Sequence, residues 1–379
     1  MDRYPFKAAI IGGSVGGLAT AIELSESLGA EVRVFERSAG EMQARGAGVV
    51  MQPEVDDLLR RIDIDTASVC VALRERVSLL QDGTARAQAA PQLMTAWDTL
   101  YRSLCARLDP ASYVQEHELT DLTPQDDRVV ATFSNGASAD TDLVIGADGV
   151  NSQCRALLTG DGAAARYSGY VAWRGLEDEM ALPSHLVEAL TDRFTSYTNP
   201  GMQMLCYLVP GADGAIEPGR RRVNWVWYFN TPEDQLTDVM TGASGKSYRS
   251  FLPASDVSKS VRTAVHNLAD RTLPPVFQDL VSASKIFAQP VQDVAAQDRV
   301  YSRGLLVGDA AGTVRPHTAA GTSKAFGDAR SLAQALQNWS RQKSLPTDRL
   351  AQWALLRNRE LLATAARGKR LAASSGLGF

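Results

Sequence analysis

The first forty residues switch between two hydrophobic periods. Ala8-Ala9-Ile10-Ile11 is an unbroken apolar run, the pattern of a strand buried on both faces. Val15, Leu18, Ala19 and Ile22 then recur at helical spacing, and Gly29 supplies a C-terminal stop. Val32, Val34 and Phe35 form a second strand, for which a parallel crossover is the economical connection.

Two later strand-to-turn passages repeat this grammar. Leu143-Val144-Ile145 runs into Gly146-Ala147-Asp148-Gly149, and Leu305-Leu306-Val307 runs into Gly308-Asp309. Between them the pattern changes. Tyr170 to Trp173 and Val223 to Phe229 are aromatic and β-branched runs broken by Pro/Gly loops, which predicts an inserted antiparallel sheet. The Ser/Gly-rich stretch from Asp238 to Ser260 reads as a surface excursion, and the chain from Asp348 as a long helix ending in a Gly/Ser-rich tail. The expected fold class is α/β: a Rossmann-type nucleotide-binding domain from residues 1–165 and 296–379, an inserted mixed or antiparallel β-sheet substrate domain over 166–295, and a C-terminal helix.

Composition narrows the class without naming it. Of 379 residues, 45% are hydrophobic and 22% charged, as in an ordinary globular chain able to bury a large core. The net charge of −4 argues against nucleic acid or an anionic membrane as partner. The basic runs Arg220-Arg221-Arg222 and Arg367 to Arg370 read as solvated faces. Cys70, Cys105, Cys154 and Cys206 lie in no disulfide or metal spacing, so no metal is expected. The apolar runs fall short of a membrane span, and a cytoplasmic setting is the expectation.

The turn Gly12-Gly13-Ser14-Val15-Gly16-Gly17 stands where G-x-G-x-x-G would, with Ser14 replacing the middle glycine. Gly12 permits a tight turn, Gly17 lets helix and strand approach, and the helix N-terminus offers amides to a pyrophosphate. Glu36 ends the second strand, followed by Arg37, where an acid accepts ribose hydroxyls. Asp148-Gly149-Val150-Asn151-Ser152-Gln153-Cys154-Arg155 fits D-G-x-x-S-x-x-R, and Gly308-Asp309-Ala310-Ala311 precedes Pro316, Gly321 and a helix carrying Asp328. Distant loops of this kind suit an extended cofactor, FAD rather than NAD.

This ordered trio resembles the single-component FAD-dependent aromatic hydroxylases, the family similar to para-hydroxybenzoate hydroxylase, over residues 7 to about 365. Gly169 to Gly175 and Arg315-Pro316-His317 before Ala319-Ala320-Gly321 extend the resemblance. The resemblance implies non-covalent FAD, with Glu36 at the adenosine ribose and Asp309 at the ribityl chain. Gly48, Val49 and the Pro316, Ala320 and Gly321 loop would line the flavin ring. Asp148 and Arg155 would serve FAD and transient NADH or NADPH docking. Two positions depart from the family: Gly312 stands where relatives carry histidine, and Trp97 where they carry a cofactor-contacting arginine.

The resemblance further implies dioxygen activation as a flavin C4a-hydroperoxide, and hydroxylation of a small hydroxylated N-heterocycle of the dihydroxypyridine kind. His317, one of four histidines, is the candidate for proton handling because imidazole titrates near neutrality. Tyr207, Trp225 and Tyr228 are candidate substrate contacts, although alternation puts Trp225 and Trp227 on one face and Asn224 and Tyr228 on the other. His117, His185 and His266 fall in no recognisable site and read as surface residues. Open alternatives are urate, 6-hydroxynicotinate or a phenol as substrate, a flavin dehydrogenase without oxygen insertion, and a non-catalytic flavoprotein. A homodimer is compatible with the sequence.

Overall fold

The parallel crossover predicted for the first 36 residues is present. β1 (Lys7–Ile11) pairs in parallel with β2 (Glu31–Phe35), placing Ile10 opposite Val34, and α1 (Val15–Leu28) connects them. Gly29 closes α1 in the left-handed conformation, its amide bonded to the Ser25 carbonyl. The computed structural model describes residues 5–40, 48–160 and 164–378.

The chain then leaves this sheet and returns to it twice. β3 (Gly48–Val50), α2 (Pro53–Arg61), β4 (Val71–Leu79), β5 (Ala85–Ala96) and α3 (Trp97–Cys105) precede the edge strand β6 (Tyr113–Val114). A small antiparallel sheet follows, β7 (Leu119–Pro124), β8 (Val129–Phe133) and β9 (Ser138–Thr141), before β10 (Leu143–Gly146) slots in beside β1 and leads to α4 (Gln153–Thr159). A large excursion supplies β11 (Arg166–Asp178), α5 (Ser184–Leu190), β12 (Arg193–Asn199), β13 (Met202–Val209) and β14 (Arg222–Asn230). It continues through α6 (Glu233–Val239), α7 (Lys259–Thr272), α8 (Pro275–Ser282) and β15 (Phe287–Asp293). β16 (Val300–Tyr301) and β17 (Gly304–Leu306) rejoin the first sheet, and α9 (Gly321–Ala335) and α10 (Thr347–Ser374) complete the chain's regular structure.

The first sheet has strand order β16-β17-β10-β1-β2-β6, and the second β15-β11-β14-β13-β12-β4-β5-β3. The second sheet is therefore wider than the expected segment 166–295 provides, because β3, β4 and β5 come from residues 48–96. β4 runs parallel to β12, so the sheet is mixed. β4 carries a legible period of two, with Val71, Leu73 and Val77 buried against exposed Ala72, Arg74, Arg76 and Ser78, and goes unpredicted all the same. β5 is the strand that escapes a periodicity reading. β5 is rich in alanine and glutamine, carries Pro91 and is largely exposed, so little alternation marks it.

Each sheet buries one face against helices. Ile10, Leu18, Phe326 and Leu332 share the core between the first sheet, α1 and α9, while Trp225, Trp227, Phe277 and Leu280 share the core between the second sheet and α7–α8. Strand alternation turns the opposite set of β13 and β14, including Gln203, Leu205, Tyr207, Val226 and Tyr228, towards a cavity. Trp225 is thus not available as a substrate contact. It is fully buried on the helix side, and its Nε1 donates to Ser284 Oγ at 2.9 Å.

Three other expectations need correction. Arg221 and Arg222 are buried and pair with Glu179 and Asp98, so of that basic run only Arg220 is solvated. The Asp238–Ser260 stretch is anchored by buried Met240, Leu252 and Val257, with Leu252 bridged to Ala288. His117 lies not on open surface but at a cavity wall, its ring against Phe35 and Phe133.

Candidate active site

The glycine turn is shaped by close backbone approach. Gly12 has φ +108, and a Cβ there would stand 2.5 Å from the Ala147 carbonyl oxygen. A Cβ at Gly17 would stand 1.9 Å from the Gly12 carbonyl oxygen, which is how closely α1 packs on β1. Glu36 accepts from the Gly13 amide and the Ser38 amide, both at 2.9 Å, so the acid at the strand end also fixes the turn. Tyr113 Oη donates to the Gly13 carbonyl at 3.1 Å from the other side.

These elements enclose a cavity of about 440 Å³, to which Gly12, Ser14, Glu36, Arg37, Asp148 and Asp309 contribute. The Asp148 carboxylate accepts from Ser152 Oγ and the Cys154 amide, and Ser152 Oγ caps α4 at the Arg155 amide. Arg155 itself lies behind the motif. Its guanidinium donates to the Val150 carbonyl at 2.7 Å and the Ala310 carbonyl at 3.0 Å, joining two motif loops, and it borders an adjoining groove rather than this cavity.

Behind Asp309 sits a buried charge cluster. Lys324 Nζ lies 3.8 Å from Asp309 and donates to the Gly312 carbonyl. Asp328 accepts from Arg299, Arg357 and the Gly308 amide. Burial alone would raise the Asp328 carboxyl, but Arg299, Lys324 and Arg357 outweigh it and hold it below the usual range. The cluster fixes the turn that aims Asp309 into the cavity.

The residues fit FAD. Neither α1 nor α9 carries an acid in its first turn, and no side chain caps either helix, so both N-termini can face an electron-rich group. Gly12 and Gly13 leave no room for a side chain, and the Glu36 and Asp309 carboxylates line the same cavity as acceptors for hydroxyls.

A second cavity, about 1020 Å³, lies between the second sheet, β3, the turn Pro316–Thr318 and α10. Trp97, Gly321 and Thr322 line both cavities. Gly48, Val49, Tyr207, Tyr228, Pro316 and His317 line this one, whereas Trp225 does not. Ala320 lines neither cavity. It is the N-cap of α9, its amide taken by Thr318 Oγ1 and its carbonyl by Lys324.

His317 is held at both ring nitrogens. Gln203 Oε1 lies 2.9 Å from Nδ1 and can only accept, which assigns the proton to Nδ1. Nε2 then accepts from Tyr170 Oη at 3.1 Å, and the Tyr228 ring lies 4.7 Å from the imidazole centroid. Burial, reinforced by the Arg315 charge, lowers the His317 pKa to about 4. The imidazole is therefore neutral at pH 7. Burial likewise raises the Tyr170, Tyr207 and Tyr228 phenols, which stay protonated.

Sequence reasoning missed Tyr170, Arg174 and Gln203. Tyr170 and Arg174 stand in the quoted segment Gly169–Gly175 and, with Tyr228 known to face a site, strand register would have found them. Tyr170, Ala172 and Arg174 share the face opposite Asn230, Tyr228 and Val226. Gln203 pairs with Tyr228 in the same way.

Comparison with known proteins gives this geometry its class. A family described as FAD binding domain-like matches residues 167–293. The chain belongs to the FAD-dependent aromatic-ring hydroxylases, single-component monooxygenases that use NAD(P)H and dioxygen. It is 32% identical to 2,6-dihydroxypyridine 3-monooxygenase of Paenarthrobacter nicotinovorans, over 88% of this chain and 86% of that protein. The solved 2,6-dihydroxypyridine-3-hydroxylase from Arthrobacter nicotinovorans superposes with a TM-score of 0.91 at 28% identity, covering 100% of this chain and 95% of that one. A 6-hydroxynicotinate 3-monooxygenase of Bordetella bronchiseptica is 26% identical over 91% of this chain and 86% of its own length. Among the described residues no helix is long and apolar enough to cross a membrane, and no cluster could hold a metal ion.

Proposed function

We propose that this enzyme hydroxylates a small hydroxylated pyridine, 2,6-dihydroxypyridine foremost, at a ring carbon activated by an adjacent or opposite ring oxygen. The observation that carries the reading is the 32% identity to a 2,6-dihydroxypyridine 3-monooxygenase across most of both chains. The cavity chemistry agrees with it. Leu205, Val226 and the tyrosine rings offer flat apolar walls to a ring, and Gln203 and His317 offer polar atoms at one end.

When bound, FAD supplies hydride acceptance from NAD(P)H and the activation of oxygen. Glu36, Asp148 and Asp309 would hold it on the first cavity, with its ring at the partition formed by Trp97, Gly321 and Thr322. His317 presents a neutral imidazole at the cavity wall. A substrate hydroxyl that takes the place of Tyr170 as donor to Nε2 is held and polarised there, with Nδ1–H anchored on Gln203. The apolar wall excludes water from the reacting ring.

The test is NAD(P)H oxidation by the FAD-loaded protein with hydroxypyridines, 6-hydroxynicotinate, urate and phenols, with product mass measured. A dihydroxypyridine product one oxygen atom heavier is expected. Oxidation of NAD(P)H with no ring gaining oxygen would reject the reading.

A further inference from the structure

The second cavity is cationic and carries no counter-charge of its own. Its described lining residues include Arg76, Arg86, Arg174 and Arg367 but no aspartate or glutamate. Arg76, Arg86 and Arg367 are exposed at its rim, whereas Arg174 stands on the sheet face at the floor. The Nε of Arg174 is buried without a hydrogen-bond partner, and the guanidinium pairs with no carboxylate among the described residues. Of the buried arginines, Arg221, Arg222 and Arg299 each meet a carboxylate within 3.0 Å and Arg155 donates to two backbone carbonyls, whereas the Nε of half-buried Arg174 meets neither. A half-buried guanidinium whose Nε is enclosed without a partner is unfavourable, and a ligand that brings the missing charge would relieve it.

Resting on the hydroxypyridine reading, we propose that Arg174 is the counter-ion of a substrate bound as an anion, and so selects anionic over neutral rings. Register supports the fit. Arg174 lies opposite Val226, and Ala172 opposite Tyr228, which also pairs with Gln203. The Arg174 row is thus two residues along the strand from the row that touches His317, a separation of ~7 Å. A single six-membered ring laid on this face can reach both rows. His317 is neutral and holds no positive charge for an oxyanion, so stabilisation of the anion falls to Arg174. The rim arginines add a field that draws anions towards the mouth.

The test titrates FAD-loaded protein with 2,6-dihydroxypyridine as its monoanion and with neutral 2-hydroxypyridine, following the flavin absorbance. Arg174→Met keeps the apolar stem and removes the charge, and Arg174→Lys keeps the charge without the fork. In Arg174→Met the Kd of the anion is expected to rise roughly 10- to 100-fold, with Arg174→Lys between. Neutral 2-hydroxypyridine should change less than about threefold, with FAD content as in wild type. Equal weakening of both ligands, or of neither, overturns the assignment. Benzoate separates the two readings. If wild type binds benzoate through Arg174 but binds no hydroxypyridine, the substrate reading falls and the counter-ion stands; if no anion depends on Arg174, the counter-ion falls.

Discussion

Tyr207 Oη donates to the carbonyl oxygen of Gly48 at 3.0 Å, and the phenol ring occupies the space a side chain at position 48 would need. A Cβ there would stand 2.2 Å from the ring. The Gly48 amide is also taken, by Asn224 Oδ1 at 3.0 Å. Beyond its pairing with β5, the Gly48 end of β3 is thus held against β13 and β14 at the wall of the substrate cavity by one hydroxyl, one amide and the absence of one methyl group. Gly48→Ala is expected to weaken FAD retention and raise KM, and adding Tyr207→Leu should recover part of the loss. A double-mutant cycle on FAD Kd measures this coupling; strictly additive effects would separate the two residues.

Glu36 and Asp309 should separate in what their removal damages. Each offers charge-assisted bonds worth about 1.5–3 kcal/mol to a cofactor hydroxyl, so Glu36→Ala and Asp309→Ala should both weaken FAD binding. Glu36 also holds the Gly13 and Ser38 amides, so Glu36→Ala should lower the Tm of the FAD-free protein as well. Asp309 faces the cavity, and Asp309→Ala should leave that Tm nearly unchanged. Titration calorimetry and thermal melts of both forms check the contrast.

His317 gives stability a pH dependence of definite sign. Its pKa falls from 6.5 in the unfolded chain to about 4 in the fold, so between these values the unfolded state binds more protons. Stability therefore declines as pH drops from about 6.5 to about 4, by at most ~1.4 kcal/mol per unit, and levels off below. His317→Gln should lack this contribution, measured as the difference between urea midpoints across that range. The same variant should lose roughly 10²–10⁴-fold in coupled hydroxylation, partly restored at higher pH, while keeping FAD.

Asp328 is the carboxylate on which Arg299, Arg357 and Lys324 converge. Asp328→Asn leaves buried Arg299 without a carboxylate and takes one of two partners from Lys324 and Arg357, which keep Asp309 and Glu360, and is expected to cost about 3–5 kcal/mol. A large fall in Tm and loss of FAD should accompany each other, since asparagine offers one acceptor oxygen where two served Arg299, Arg357 and the Gly308 amide that shapes the Asp309 turn. A folded, FAD-replete Asp328→Asn protein would show that the cluster does not support the cofactor loop.

The parts legible in the sequence were those written in contiguous residues. The Gly12–Gly17 turn, the strand ends at Glu36, Asp148 and Asp309, and the crossover helix each declare themselves within a few positions, because backbone geometry there demands particular residues. The alternation of Asn224 to Tyr228 separated two faces but could not say which met solvent, helix or cavity; α7 and α8 decide that, and they took Trp225. Arg155 matched its motif yet turned its side chain to two backbone carbonyls. β4 was overlooked although Val71, Leu73 and Val77 alternate with exposed residues, whereas β5 was unreadable because it is largely alanine and glutamine and its place comes from strand pairing rather than a periodic apolar face. The partners of His317 come from β11 and β13, more than a hundred residues upstream.

The strand order of the first sheet has a consequence during synthesis. β1 is made early, but its neighbour β10 comes more than a hundred residues later, and β17, Asp309 and α9 follow only after the whole second sheet. A chain emerging from the ribosome therefore carries its glycine turn and Glu36 for most of its elongation without the opposite wall of the cavity. The cleft that α9 covers stays open and apolar until residues beyond 330 have been added, a window in which chaperones or misassembly compete for it. FAD is then a late partner, able to lock the fold only as the final strands and helices arrive. Scarcity of FAD during expression should accordingly appear as insoluble full-length chain rather than as soluble, empty enzyme.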